Sequence, residues 1–397
     1  MMSVDETKLI EIDQGSDILR RDGASNHDNN NIDHFDGDYN EFFNNHLLSN
    51  TPCIIRNSTK RWKCSSLWVK NCKPDIDYLN SKYGEAEVPV ANCNEKYFNA
   101  QSKCCMKFSQ FADYWKKFIE NGYPSSEPCL YLKDWHFTRD YPDENVYTVP
   151  SKFSNDWLNE YYTANPELKD DYRFVYIGPK HSWTPFHADV FTSYSWSVNV
   201  CGEKKWILLP PGEEQKMKDK TGELPYSICE KDCDNLGVTY LIVFQKAGDA
   251  LFVPSGWHHQ VWNLMDTISI NHNWINGCNI DKMWLSMKRN LDDVQKEISC
   301  FKDTMDNWHS HCQLILKSCF GMDFEDFYKL IMFILKCRKS CVDRKTPLNV
   351  YGGWVIGPNH LNYDYLQVRE LMESFLNEEN VKSLLKEKTI KDSFIFL

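Results

Sequence analysis

The sequence predicts a mainly β protein with helices, an α+β chain in which a β-rich body is followed by a helical C-terminal region. Three observations carry this. Short runs rich in β-branched and aromatic residues, broken by Gly, Pro, Asn and Asp, fill the middle of the chain. After Ile280 the apolar residues recur at helical rather than strand spacing. Hydrophobic residues make up 42% and aromatic residues 14% of 397 residues, enough for a sizeable buried core.

The elements follow in chain order. Residues 1–33 are polar, and Gly23–Asn31 is an Asn/Asp-rich tract that cannot bury enough apolar surface to order itself. This N-terminus is expected to be disordered, with order starting near Asp33. Tyr39–Leu48 reads as a short helix and Thr51–Arg56 as a strand. Between Glu87 and Trp274, strands are expected at Glu87–Val90, Pro128–Leu132, Arg173–Ile177, Tyr194–Val200, Lys205–Leu209, Tyr240–Phe244, Ala250–Val253 and Thr267–Asn271. Helices interrupt them at Phe108–Asn121 and Asn155–Tyr162. Many short strands with Gly/Pro punctuation point to a sandwich, jelly roll or barrel. Met283, Trp284, Met287, Leu291 and Val294 then mark a helix, and Phe324–Cys337 and Asp364–Leu385 read likewise. The expected division is a polar N-terminus at 1–33, a catalytic region at 34–277 and a helical region at 278–397.

The net charge of −11 makes stable nucleic-acid binding unexpected, because a phosphate backbone is held by clustered Lys and Arg. The N-terminus lacks a basic region followed by an apolar run, so no secretory signal is expected. Leu330–Leu335, the longest apolar run near the C-terminus, is too short to cross a bilayer. A soluble protein of the cytoplasm, with the nucleus left open, is the expectation. The 16 cysteines are scattered, without a CxxC pair. Cys229/Cys233, Cys337/Cys341 and the group His309, His311 and Cys312 are weak zinc candidates, since none has an obvious partner pair. Reduced thiols are the plainer reading.

The chemistry concentrates in Thr184-Pro185-Phe186-His187-Ala188-Asp189. Residues i and i+2 of a strand share a face, so His187 and Asp189 can reach one metal ion. A third ligand must come from another strand, and Phe252–Val261 offers His258 and His259. Two histidines and one carboxylate leave three open positions, the arrangement of non-heme Fe(II) oxygenases. A structural zinc site would instead be closed by four ligands. HxD alone is a weak signal. Here it is followed by Gly202-Glu203-Lys204-Lys205-Trp206 and by Gly248-Asp249-Ala250-Leu251-Phe252-Val253-Pro254 before the histidine pair.

With these motifs, from about Cys53 to Asn276, the sequence resembles the jumonji C family of 2-oxoglutarate oxygenases. TPFHAD, SYSWSVNVCGEKKW, FVPSGWHHQVWNL and TISINHNW carry the resemblance. It implies a double-stranded β-helix, a jelly-roll of cupin-like type with N-terminal additions. It implies Fe(II), 2-oxoglutarate as cosubstrate, and dioxygen. In the family's Pro-x-Gly-Trp-x-His pattern the last residue is the ligand, which selects His259 and leaves His258 as a packing residue. Lys204 matches the lysine that anchors the distal carboxylate by a charge-assisted hydrogen bond, while Lys205 points the other way. Thr184, Tyr131, Asn271 and, as the better match, Asn273 resemble cosubstrate contacts. Each also reads as an ordinary strand or core residue. Ser197 stands where some relatives have Asn, which puts that contact in doubt. Trp196 and Trp274 read as core or pocket wall.

No histone-reading module accompanies the motifs. The resemblance therefore implies a protein hydroxylase, acting on a lysine of the eukaryotic translation termination factor. Three alternatives stand beside it: an N-methyl-lysine demethylase, hydroxylation of another residue or a modified tRNA base, and a catalytically silent binding module. The C-terminal helices pack on the barrel, cover part of a substrate cleft or form a homodimer interface. Helical periodicity does not choose among these.

Overall fold

The computed structural model describes residues 8–13 and 32–387; the Gly23–Asn31 tract lies outside them. A short ordered segment precedes the expected start near Asp33. Leu9–Ile10 adds a parallel strand to Trp354–Ile356, which in turn pairs with Leu348–Val350.

Thirteen strands build the body around the site. In chain order they are β1 (Asp33–His34), β2 (Cys53–Ile55), β3 (Glu87–Tyr97), β4 (Ala100–Lys107), β5 (Leu130–Trp135), β6 (Arg173–Gly178), β7 (Trp183–His187), β8 (Tyr194–Cys201), β9 (Lys204–Leu209), β10 (Leu241–Gln245), β11 (Ala250–Val253), β12 (His258–Asn263) and β13 (Thr267–Trp274). Nine form one sheet in the order β1-β2-β11-β8-β13-β6-β5-β3-β4. Four form a second sheet in the order β7-β12-β9-β10. From β6 to β13 the chain passes back and forth between the two sheets, except at β9 and β10, which are antiparallel neighbours in the smaller one, the winding of a double-stranded β-helix. The β-rich body and the jelly-roll expectation are both met. The β4 strand, which ends the large sheet, is one the sequence pattern does not announce. Six of its eight residues are polar or cysteine, and only Gln101 is buried.

Alternation sorts the two faces of the large sheet. Tyr194, Trp196, Val198, Phe252, Ile268, Ile270 and Trp274 point to one side, where they pack with Phe42 and Phe153 in the main core. Trp196 and Trp274 are thus core residues: the Trp196 ring stacks on Phe153 at 5.6 Å. The opposite face of β8 and β13 carries Ser195, Ser197, Asn199, Ser269, Asn271 and Asn273, all polar and mostly buried. Between the sheets, Ile54, Leu251 and Val253 meet Trp206, Leu208, Val243 and Val261 in a smaller apolar core.

Helices α1 (Phe108–Glu120) and α2 (Trp157–Ala164) lie within the β-rich region. The C-terminal region consists of α3 (Ile280–Glu297), α4 (Trp308–Phe320), α5 (Phe324–Arg344), α6 (Pro358–Asn377) and α7 (Glu379–Glu387). Met283, Trp284, Met287, Leu291 and Val294 are buried as their spacing predicts. The spacing does not announce α4, whose buried face combines Trp308, Cys312 and Leu316 with the polar Gln313. Helix α5 starts on a capping box, with Asp323 accepting from the Asp326 backbone. Trp284, Phe324, Phe327 and Phe375 close a second core. No helix among the described residues is long and apolar enough to cross a membrane.

Candidate active site

His187, Asp189 and His259 bring one ligand atom each within 4.8 Å of one another. Among the described residues, no other group of three or more His, Cys, Asp or Glu gathers this way. The cysteine and histidine groups weighed as zinc sites do not assemble.

The local geometry corrects one step of the sequence argument. The strand ends at His187, so Asp189 is not its strand neighbour at i+2. Asp189 follows in extended backbone, with φ −65° and ψ 147°, and this keeps it on the same side. Between Thr184 and His187 the pairing slips by one residue: Thr184 faces Val261, and His187 faces His259. This bulge, at Pro185 and Phe186, turns both Thr184 and His187 inward. The next residues are held in left-handed backbone, Phe191 at φ 59° and Thr192 at φ 55°. A β-branched residue there is strained, a condition that proteins tolerate mostly at functional sites.

Each of the three side chains is oriented by a second contact. His187 Nδ1 lies 2.8 Å from the Pro185 carbonyl and His259 Nδ1 lies 3.0 Å from the Trp257 carbonyl. A proton on each Nδ1 donated to those oxygens leaves both Nε2 lone pairs free for a metal. The ring centroids are 4.3 Å apart. Burial, then the neighbouring His259, hold His187 down to about 4, so it is the neutral imidazole that metal binding requires. Ser195 Oγ donates to Asp189 Oδ2 at 2.6 Å. His258 instead packs near Phe186, ring to ring at 5.5 Å.

Lys204 opens β9 just after Gly202, whose φ of +84° makes the turn. A side chain at Gly202 would collide with Thr267 and the Asp266 carbonyl. Lys204 is 1% exposed. Its Nζ donates to Ser269 Oγ at 2.7 Å and lies 5.7 Å from the Tyr176 ring and 5.9 Å from that of Trp206. Among the described residues no carboxylate pairs with it, and burial alone pushes it down to about 7. A buried ammonium served by one hydroxyl and two ring faces is a site for an anion. Lys205 points outward to Glu230.

The remaining candidates fall around this centre. Asn271 Nδ2 donates to Ser269 Oγ at 3.2 Å, so it reaches the same hydroxyl as Lys204. Asn273 Nδ2 donates to Ser193 Oγ at 3.1 Å, and Asn273 pairs with Ser195 across β8 and β13. Ser197 lies opposite Asn271 and its buried hydroxyl has no partner. Tyr131 is buried with its ring 6.1 Å from that of Tyr176. Thr184 is half-buried on β7. The sequence argument missed Ser195, Ser269 and Tyr176, which hold Asp189, Lys204 and the space between. The signal for the two serines is the polar residue at every second position of Ser195–Asn199 and Thr267–Asn273 in strands that are otherwise fully buried.

Two histidines and a carboxylate on one inward face, with an unpaired lysine in the same barrel, fit a metal with open positions and an anionic cosubstrate. This fold and donor set define the class: a cupin-like 2-oxoglutarate and iron-dependent oxygenase. Comparison with known proteins agrees. A cupin-like domain family matches residues 39–279. The 2-oxoglutarate and iron-dependent oxygenase JMJD4 of Danio rerio is 46% identical over 363 residues, 87% of this chain and 86% of that protein. The Homo sapiens protein of the same name is 48% identical over 310 residues, 76% of this chain and 74% of its own length. The arginine-specific demethylase JMJ20 of Arabidopsis thaliana is 39% identical over 312 residues, 73% and 66% of the two chains. The chain belongs to the JMJD4 family of 2-oxoglutarate and iron-dependent oxygenases.

Proposed function

We propose that the protein hydroxylates a lysine of the eukaryotic translation termination factor in the cytoplasm. In this reading His187, Asp189 and His259 hold the iron. Lys204 takes the distal carboxylate of 2-oxoglutarate, with Thr184, Asn273 and Tyr131 lining its place. The observation that carries the reading is Lys204, buried without an anionic partner in the barrel that holds the triad. Bound iron and 2-oxoglutarate supply the activation of dioxygen and the oxidation of a C–H bond. The chain's own residues bind and orient. The carbonyls of Pro185 and Trp257 fix the imidazoles, Ser195 steadies Asp189, and Ser269 steadies Lys204. The lysine target rests on the motif resemblance.

The test is mass spectrometry of recombinant termination factor incubated with wild-type protein and with Asp189→Ala. The expected product is one added oxygen on a lysine, with succinate released in step and both lost in Asp189→Ala. Similarity to JMJ20 favours a second reading, removal of N-methyl groups from arginine. Loss of methyl groups with no added oxygen in the same assay would replace the first reading by the second. Succinate at background with every substrate would leave a silent binding module. A homodimer through the C-terminal helices is a separate proposal, checked by light scattering of the purified protein.

A further inference from the structure

A cavity of about 790 Å³ opens at Asp189 and runs under the helical region. Its walls include Glu214, His258, Lys282, Leu285 and Arg289. Glu214 sits on the single turn that follows β9, Glu213–Met217, and is 7% exposed. Its two oxygens accept from neutral donors, the Gly212 backbone and the Gln215 amide, each at 2.7 Å. His258 Nδ1 lies 3.8 Å from its Oε2, too long for a hydrogen bond. Neighbouring Glu213, by contrast, has Lys216 at 2.7 Å.

A largely buried carboxylate whose hydrogen bonds all come from neutral donors lacks the Coulomb partner that such charges usually have. Here the missing partner would enter from the cavity. The acceptor at this spot is the carboxylate of Glu214, with the His258 ring beside it. An ammonium offers three N–H donors to such a spot. The approach is apolar, since Leu285 is 45% exposed on one wall and Val190, on the strained turn after Asp189, is 51% exposed on another. A chain of methylenes with a charged tip fits that surface. Lys282 is half-exposed and Arg289 exposed, so their repulsion is screened at the rim.

We infer that Glu214, with His258 beside it, is the subsite that receives a primary ammonium of the protein substrate, carried on a methylene stem through the cavity at Asp189. This deepens the proposed function and rests on its reading of the triad as the reacting centre. Glu214 is here a specificity-determining residue.

The experiment measures binding without turnover. The iron-loaded, 2-oxoglutarate-bound protein is held anaerobically and titrated with the peptide Gly-Gly-Lys-Gly-Gly, blocked at both ends. Its norleucine and arginine counterparts are titrated in parallel. Wild-type protein is expected to bind the lysine peptide about tenfold or more tighter than the norleucine peptide, the effect of one charge-assisted contact. Glu214→Gln should bring that ratio to about one, and Glu214→Asp should restore part of it. Thermal melting of each variant reports its fold, and the wild-type ratio needs no variant at all. Wild-type protein with no preference for lysine, a preference for arginine, or a Glu214→Gln protein that keeps the preference would each overturn the subsite. If the preference holds while the termination factor stays unmodified, the named target fails and the subsite stands. If the factor is hydroxylated on lysine while Glu214→Gln binds as wild type, the subsite alone fails.

Discussion

Arg338 in the helical region and Lys204 in the barrel are both buried cations, and their surroundings differ. Arg338 is fully buried on α5. Its two Nη atoms meet both oxygens of Glu160 on α2 at 2.7 and 2.8 Å. Its Nε reaches Asp364 on α6 at 3.3 Å. Burial by itself would lower the guanidinium, but the Glu160 and Asp364 carboxylates outweigh it and hold Arg338 above its ordinary value. Lys204 has one hydroxyl, and burial carries it down to about 7. The first cation is satisfied within the chain and ties three helices together. The second meets no carboxylate among the described residues. The contrast sets a structural charge apart from a buried cation without a carboxylate, the place that the proposed function gives to 2-oxoglutarate.

The largest expected effect breaks the structural member of the pair. Arg338→Met leaves the buried Asp364 and the half-buried Glu160 without their guanidinium and should cost ~3–5 kcal/mol of stability in denaturant unfolding. Lys204→Met should have the opposite profile. It removes an unpaired buried charge, so unfolding stability is expected to hold or rise. The affinity for 2-oxoglutarate should fall about 10- to 100-fold, measured by anaerobic titration, the weight of a hydrogen bond to a charged group. A Lys204→Met protein that binds 2-oxoglutarate as wild type would remove Lys204 from the site.

A smaller effect sharpens the comparison through pH. Below about 7 Lys204 in the free barrel is an ammonium and takes a carboxylate directly. Above that value the barrel must take up a proton on binding. The affinity for 2-oxoglutarate should therefore weaken as pH rises, by up to about tenfold per unit. Calorimetry in buffers of different ionisation enthalpy should register that proton uptake at alkaline pH, and Lys204→Met should lose it. The smallest expected effect is Ser269→Ala, which removes the one hydroxyl that Lys204 meets and should weaken 2-oxoglutarate by about 1 kcal/mol, roughly fivefold.

Much of this was legible before the fold. The β-rich body, the change to helices after Ile280 and the inward placement of His187, Asp189, Lys204 and His259 follow from motif, spacing and resemblance. The polar alternation in Ser195–Asn199 and Thr267–Asn273 was also present, but alternation alone has two meanings. On a half-exposed strand the polar face meets water, and only when β8 and β13 are both seen to be buried does it become the lining of a site. Glu214 carried no signal at all, because nothing in Glu213-Glu214 tells which of two adjacent carboxylates lies inside.

The sequence by itself determined the donor set, since ligand types and their order are chemical facts that survive in one dimension. It also determined the period of each strong element, because burial on one face repeats with the backbone's own geometry. Tertiary structure alone decided the bulge that turns Thr184 and His187 to the same side, the partners of Lys204 and Arg338, and the helical wall that closes the cavity over Asp189. Those depend on contacts between residues far apart in the chain, and the charge a residue feels there is set by what the fold brings beside it.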